Sequence, residues 1–87
     1  MFEVKLHKTA RKSLKRFDAT IQKRIMKVLV ELTSDPMPQG FKKLKGQTED
    51  KYRVRVGDYR IIYTVNNGEL LVLVVSIGHR KEIYRGV

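Results

Sequence analysis

Phe2, Val4 and Leu6 alternate with Glu3, Lys5 and His7. This is the period-2 pattern of a strand with one buried face. Thr9 offers a cap for a following short helix, in which Ala10, Leu14 and Phe17 share one side while Arg11, Lys12, Lys15 and Arg16 point away. Asp18 to Thr20 then supply new cap residues. Ile21, Ile25, Val28, Leu29 and Leu32 recur at the spacing of a longer amphipathic helix, with Lys23, Arg24 and Lys27 on its outer side. Pro36 disfavours helical geometry at Asp35, and Pro38 and Gly40 extend the break. The segment FKKLKGQTED is read as a loop leading into a sheet.

From Lys51 the period changes. KYRVRV, a turn at Gly57-Asp58, YRIIYTV, a turn at Asn67-Gly68 and ELLVLVVSI predict three successive strands. Asn-Gly between apolar runs is a strong hairpin signal, because both central positions of the tight turn need positive φ. The order β-α-α-β-β-β predicts a single α+β domain over residues 1–87, with the two N-terminal helices on one face of an antiparallel sheet. The last strand is apolar on both faces, which suggests a central position. The segment HRKEIYRGV reads equally as a short helix or an edge segment.

A two-residue turn at Gly57-Asp58 sets Val56 opposite Tyr59, Arg55 opposite Arg60, Val54 opposite Ile61 and Tyr52 opposite Tyr63. Pleating then gathers Tyr52, Val54, Val56, Tyr59, Ile61 and Tyr63 on a face suited to the helices, and Arg53, Arg55 and Arg60 on the other. Directly opposed like charges destabilise a hairpin, and Asp58 is its one acid. Stability does not explain such a face. Guanidinium groups bind phosphate in bidentate fashion, so a phosphodiester suits it. Beyond the last strand stand His79, whose imidazole can exchange a proton, Arg80, which can join the basic face, and Tyr84, which offers a stacking ring and a phenol.

Composition agrees with an anionic partner. Lys plus Arg number 19 against 9 Asp plus Glu, a formal charge of +10, which favours nucleic acid, acidic protein or anionic lipid. There is no cysteine, and the two histidines have no acidic cluster beside them, so neither a metal centre nor another cofactor is expected. The longest apolar run, Leu70 to Val75, is far short of the ~20 residues that span a bilayer. A soluble cytoplasmic protein without membrane contact is expected.

KLKG at Lys43 to Gly46, YRVRVGDYRIIY at Tyr52 to Tyr63 and IGHRKEIY at Ile77 to Tyr84 together resemble the RelE/ParE superfamily of toxins from type II toxin-antitoxin systems, over nearly the whole chain. Strand, two helices and three strands is also that family's order. The RelE branch implies a metal-independent endoribonuclease that cuts messenger RNA on the ribosome by attack of a ribose 2′-hydroxyl on the adjacent phosphate. The resemblance carries the family's site positions to Arg53, Arg55, Arg60, Arg80 and Tyr84; Arg60, Arg80, Tyr84 and Arg55, with His79 added for its imidazole, are the expected catalytic residues, and Arg53, Arg55, Lys43, Lys45 and Lys81 the expected RNA contacts. Arginine does not deprotonate, so His79 and Tyr84 are the candidates for proton transfer. The family also implies an acidic, partly disordered antitoxin, RelB-like, held in a hetero-oligomer. A ParE-like inhibitor of DNA gyrase and a non-catalytic RNA-binding module are the alternatives.

Overall fold

The computed structural model describes residues 1–38, 40–44 and 50–83. Its elements are β1 (Glu3–Leu6), α1 (Lys8–Arg16), α2 (Ala19–Ser34), β2 (Lys42–Leu44), β3 (Lys51–Val56), β4 (Tyr59–Asn66) and β5 (Leu71–His79). One sheet runs in the order β1-β5-β4-β3-β2. β5 is an interior strand, flanked by β1 and β4, in keeping with its two apolar faces. Two features depart from the expected antiparallel sheet. β1 pairs with β5 in parallel, Glu3 with Leu71 through Leu6 with Val74, which makes the sheet mixed. Alternation reports which side of a strand is buried but not the direction of its neighbour. In addition, Lys42–Leu44, expected within a loop, forms the edge strand β2, antiparallel to β3. Three residues are too few to display a period.

Both helices lie on one face. Ala10 of α1 and Ile25, Leu29 and Leu32 of α2 are buried against Val54, Val56, Ile61, Tyr63, Val72, Val74 and Ile77 of the sheet. The cap of α1 is His7 rather than Thr9: the Thr9 N–H donates to His7 Nδ1 at 3.2 Å, within the first turn. Asp18 caps α2 by accepting from the Ile21 N–H at 3.0 Å. The Gln22 side chain donates to the Phe17 carbonyl at 2.9 Å, satisfying a carbonyl where α1 ends and fixing the corner between the helices.

The β4–β5 connection is longer than a two-residue Asn-Gly turn. Asn66 pairs with Leu71, enclosing residues 67–70, and Leu70 rather than Gly68 takes the positive φ, at 52°. The Asn66 side chain explains the difference: its Oδ1 accepts from the Glu69 N–H at 3.0 Å and closes the turn. At the β3–β4 turn the expectation holds. Gly57 has φ +59°, and the register Val56 with Tyr59 through Tyr52 with Tyr63 is the one deduced from the pattern.

β5 carries one irregularity with large consequences. Ile62 pairs with Ser76 but Tyr63 pairs with Val74, so Val75 is an inserted residue. A bulge shifts the pleat by one. Val72 and Val74 face the helices on one side of it, and Ile77 and His79 do so on the other.

Tyr63 is wholly buried and its hydroxyl donates to the Pro36 carbonyl at 2.7 Å, tying the loop after α2 to the centre of the sheet. Burial first, then the Asp35 carboxylate and the Tyr52 phenol, push its hydroxyl up to about 12 from 10.0. The folded state therefore holds this proton more tightly than the unfolded chain. Its contribution is complete below pH 10 and is lost as pH rises toward 12. Tyr63→Phe is expected to cost about 1 kcal/mol at neutral pH, through the lost hydrogen bond. That gap should close with rising alkaline pH in paired urea titrations of the two proteins; a constant gap would refute the assignment.

Candidate functional site

Cross-strand partners share a face, so the pairings Lys42 with Arg53, Arg55 with Arg60 and Arg60 with Gly78 collect these positions on the side away from the helices. Lys42, Arg53, Arg55 and Arg60 line an open groove of about 580 Å³, with Arg80 and Lys81 at the end of β5 and Leu44 as the apolar member. Among the described residues, six of the seven that line it are Lys or Arg.

The groove's cations differ in how they are held. Arg53 is only 7% exposed, and its neighbour across the ladder, Ile62, is 1% exposed. Among the described residues no carboxylate forms an ion pair with Arg53. A desolvated guanidinium without a counter-charge is costly, and an anion entering the groove offsets that cost. Arg60 is directed by the β3–β4 turn: one of its terminal nitrogens, Nη1, donates to the carbonyls of Gly57 and Tyr59, each at 2.9 Å. Its other terminal nitrogen remains for a ligand.

Arg80 is held by the same turn. Its backbone N–H donates to the Asp58 carbonyl at 2.7 Å, and its Nε lies 3.5 Å from Asp58 Oδ1. Asp58 is, among the described residues, the acid in ion-pair contact with a groove cation, and the exposure of both partners keeps that pairing weak. The turn at Gly57-Asp58 thus serves two arginines from different strands. Beyond it the chain folds back: the Glu82 and Ile83 N–H groups donate to the His79 carbonyl at 2.9 Å, which brings Ile83 over Gly78. A β-carbon at Gly78 would stand 3.1 Å from Ile83 Cδ1, so the absent side chain makes room for this turn beside Arg60.

Of the residues singled out in the sequence, Arg53, Arg55, Arg60, Arg80 and Lys81 meet in the groove. Lys43 and His79 stand elsewhere. Lys43 pairs with Tyr52, on the helix-bearing face, and its ammonium lies 3.3 Å from Asp50 Oδ1. His79 pairs with Tyr59 on that same face, with ring centroids 5.5 Å apart edge to face, and its Nδ1 accepts from the Lys81 N–H. The bulge at Val75 is the reason for this placement. Lys45 and Tyr84 lie outside the described residues. Lys42 was not anticipated, because its place in the groove follows from a strand that the sequence pattern did not reveal.

Among the described residues, no group of three or more His, Cys, Asp or Glu could hold a metal ion, and no helix is long and apolar enough to cross a membrane. The arrangement is a small α+β scaffold presenting a concave cationic surface suited to a phosphate-bearing ligand.

Residues 4–84 match the family model described as the ParE toxin of type II toxin-antitoxin systems, parDE. The chain is 30% identical over 87 residues to the putative toxin RelE1 of Methanocaldococcus jannaschii, covering 97% of this chain and 96% of that one. It is 31% identical over 78 residues to the mRNA interferase toxin RelE of Escherichia coli K12, covering 86% and 81% of the two chains. Among solved structures, the archaeal RelE-RelB complex from Pyrococcus horikoshii OT3 contains a chain that superposes with a TM-score of 0.81 at 30% identity, over 93% of this chain and 97% of that chain. The chain belongs to the RelE/ParE family of type II toxin-antitoxin toxins.

The opposition of Arg55 and Arg60 makes a stability prediction independent of function. Arg60 has turn carbonyls to bind, whereas Arg55 is exposed and makes no side-chain hydrogen bond among the described residues. Arg55→Thr should therefore raise stability by about 0.2–1 kcal/mol at low salt, through relief of like-charge contact. Urea titrations should show the gain shrinking as salt screens the pair. A destabilised variant would mean that Arg55 has a structural partner.

Proposed function

We propose that the protein is the toxin of a toxin-antitoxin pair and acts as an endoribonuclease on ribosome-bound messenger RNA. The observation that carries this reading is the convergence of Arg53, Arg55, Arg60 and Arg80 on one concave surface with, among the described residues, a single weakly paired acid. Its similarity to relatives named mRNA interferases supports the substrate class.

In this reading the groove receives the scissile phosphate. Attack by the neighbouring ribose 2′-hydroxyl forms a pentavalent phosphorane, and expulsion of the 5′-oxygen leaves a 2′,3′-cyclic phosphate and a 5′-hydroxyl. Charge builds on the non-bridging oxygens as attack proceeds. Arg60 and Arg80, already directed by the Gly57-Asp58 turn, meet that charge without reorganising. Arg53 and Arg55 bind the flanking backbone, and Lys81 closes the groove at the β5 end. No guanidinium here can take the 2′-hydroxyl proton. Lys42 and Lys81 are the lining side chains of a type that exchanges protons, and Tyr84 keeps the stacking or acid role that the family resemblance gives it. The ribosome fixes the message in the geometry for attack, and the reaction uses no metal.

The partner we propose is an acidic antitoxin. The pairing of RelE with RelB in the archaeal complex supports an antitoxin partner, and the +10 charge of this chain supports an acidic one that would offset it. Expression of the protein alone in the cytoplasm should arrest translation, and mapping of message 5′ ends should reveal cuts within ribosome-covered regions. Arg60→Ala and Arg80→Ala should each lower the cleavage rate by about 10²–10³, as loss of a preorganised transition-state donor does, while the thermal melt is retained. Intact messages together with trapped gyrase-DNA complexes would replace this reading with the gyrase inhibition of the ParE branch.

A further inference from the structure

Cationic surface continues past the groove. At the seam between α2 and the β3–β4 turn a second concavity of about 340 Å³ is lined by Arg24, Lys27, Glu31, Arg55 and Gly57, together with Val28 and Val56. Arg55 borders both concavities. Gly57 is the saddle between them. A β-carbon there would stand 2.9 Å from Arg24 Nη2 and 3.2 Å from Nη1, so the guanidinium of α2 lies directly over the glycine. Arg60, from the opposite face of the sheet, donates to the carbonyl of the same residue at 2.9 Å. Two guanidinium groups from opposite faces therefore meet at one residue that has no side chain to separate them.

We propose that the seam is a second phosphate-binding subsite, where Arg24 and Lys27, with Arg55 shared, grip the backbone of the same RNA strand as it leaves the groove over Gly57. Continuity favours nucleic acid over an acidic protein here. A polyanion with regularly repeated charge, seated on Arg55 and Arg60, meets Arg24 next across Gly57; the turn's acid, Asp58, is engaged by Arg80, and among the described residues Glu31 is the one acid lining the seam. Arg24 and Lys27 are both exposed, and neither forms an ion pair among the described residues. This proposal rests on the groove being the phosphate site.

The test uses 2′-O-methyl oligouridylates, which lack the attacking hydroxyl, as a dinucleotide and as a decanucleotide. For single strands each phosphate contact contributes about 0.7 to the slope of log affinity against log salt. The R24Q/K27Q protein should bind the dinucleotide as the wild type does, yet its decanucleotide slope should be shallower by about 1.4, the sum of two such contacts. An unchanged decanucleotide slope would overturn the proposal. If Arg60→Ala weakens dinucleotide binding while R24Q/K27Q leaves both ligands unaffected, the seam alone fails and the groove stands. If Arg60→Ala also has no effect on either ligand, both fail. Loss of antitoxin binding by R24Q/K27Q with RNA binding intact would assign the seam to the protein partner and likewise overturn the proposal.

Discussion

A strand residue can point to only one face of its sheet, and β3 and β4 use both faces for opposite purposes. Val54, Val56, Ile61 and Tyr63 point into the helices and supply the centre of the core. Arg53, Arg55 and Arg60, interleaved with them, supply the cationic groove. The two sets are locked to each other by the pleat: no slip of one residue could preserve either. Apolar burial on one side therefore pins the charges on the other, although those charges repel. The core fixes a register that the site, left to itself, would abandon.

That coupling also explains what could be read from the chain. The β3–β4 hairpin was legible because two signals coincided there, a strict period of two and a glycine at the first turn position, and each constrains the other. The helices were legible from the spacing of Ile21, Ile25, Val28, Leu29 and Leu32, and Arg53, Arg55, Arg60 and Arg80 followed once the faces were sorted. What escaped was non-local or phase-breaking. β2 has only three residues, and the parallel pairing of β1 with β5 joins segments some seventy positions apart with no local mark. Val75 inverts the pleat at the end of an apolar run that shows no alternation before it, so the change of phase has nothing to be read against and the facing of His79 could not be deduced. Asn66 closing its turn through a side chain has the same character: Asn-Gly is legible, but which asparagine acts is not.

The groove's electrostatics follow from a division of labour within one turn. Gly57 gives its carbonyl to Arg60, and Asp58 gives both its carbonyl and its carboxylate to Arg80. Backbone carbonyls orient a guanidinium without neutralising it, so the two arginines are aimed yet keep nearly their full charge for a ligand. The ion pairs elsewhere, Lys5 with Glu3 and Lys43 with Asp50, lie on exposed edge strands and leave the groove untouched. Opposite charge is spent outside the site and almost withheld within it.

The order of the sheet has a bearing on how such a protein comes into being. β5 is an interior strand of the five, between β1 and β4, and follows the other four in the chain. Without β5, β1 has no sheet neighbour and Arg60 has no Arg80 beside it. The concave surface exists only once residues 71–81 have emerged and threaded between β1 and β4, a closure between distant segments that is slow compared with hairpin formation. The cation cluster is therefore complete only when β5 is in place. Any partner that captures newly made chains has that interval, between hairpin and finished sheet, in which to arrive.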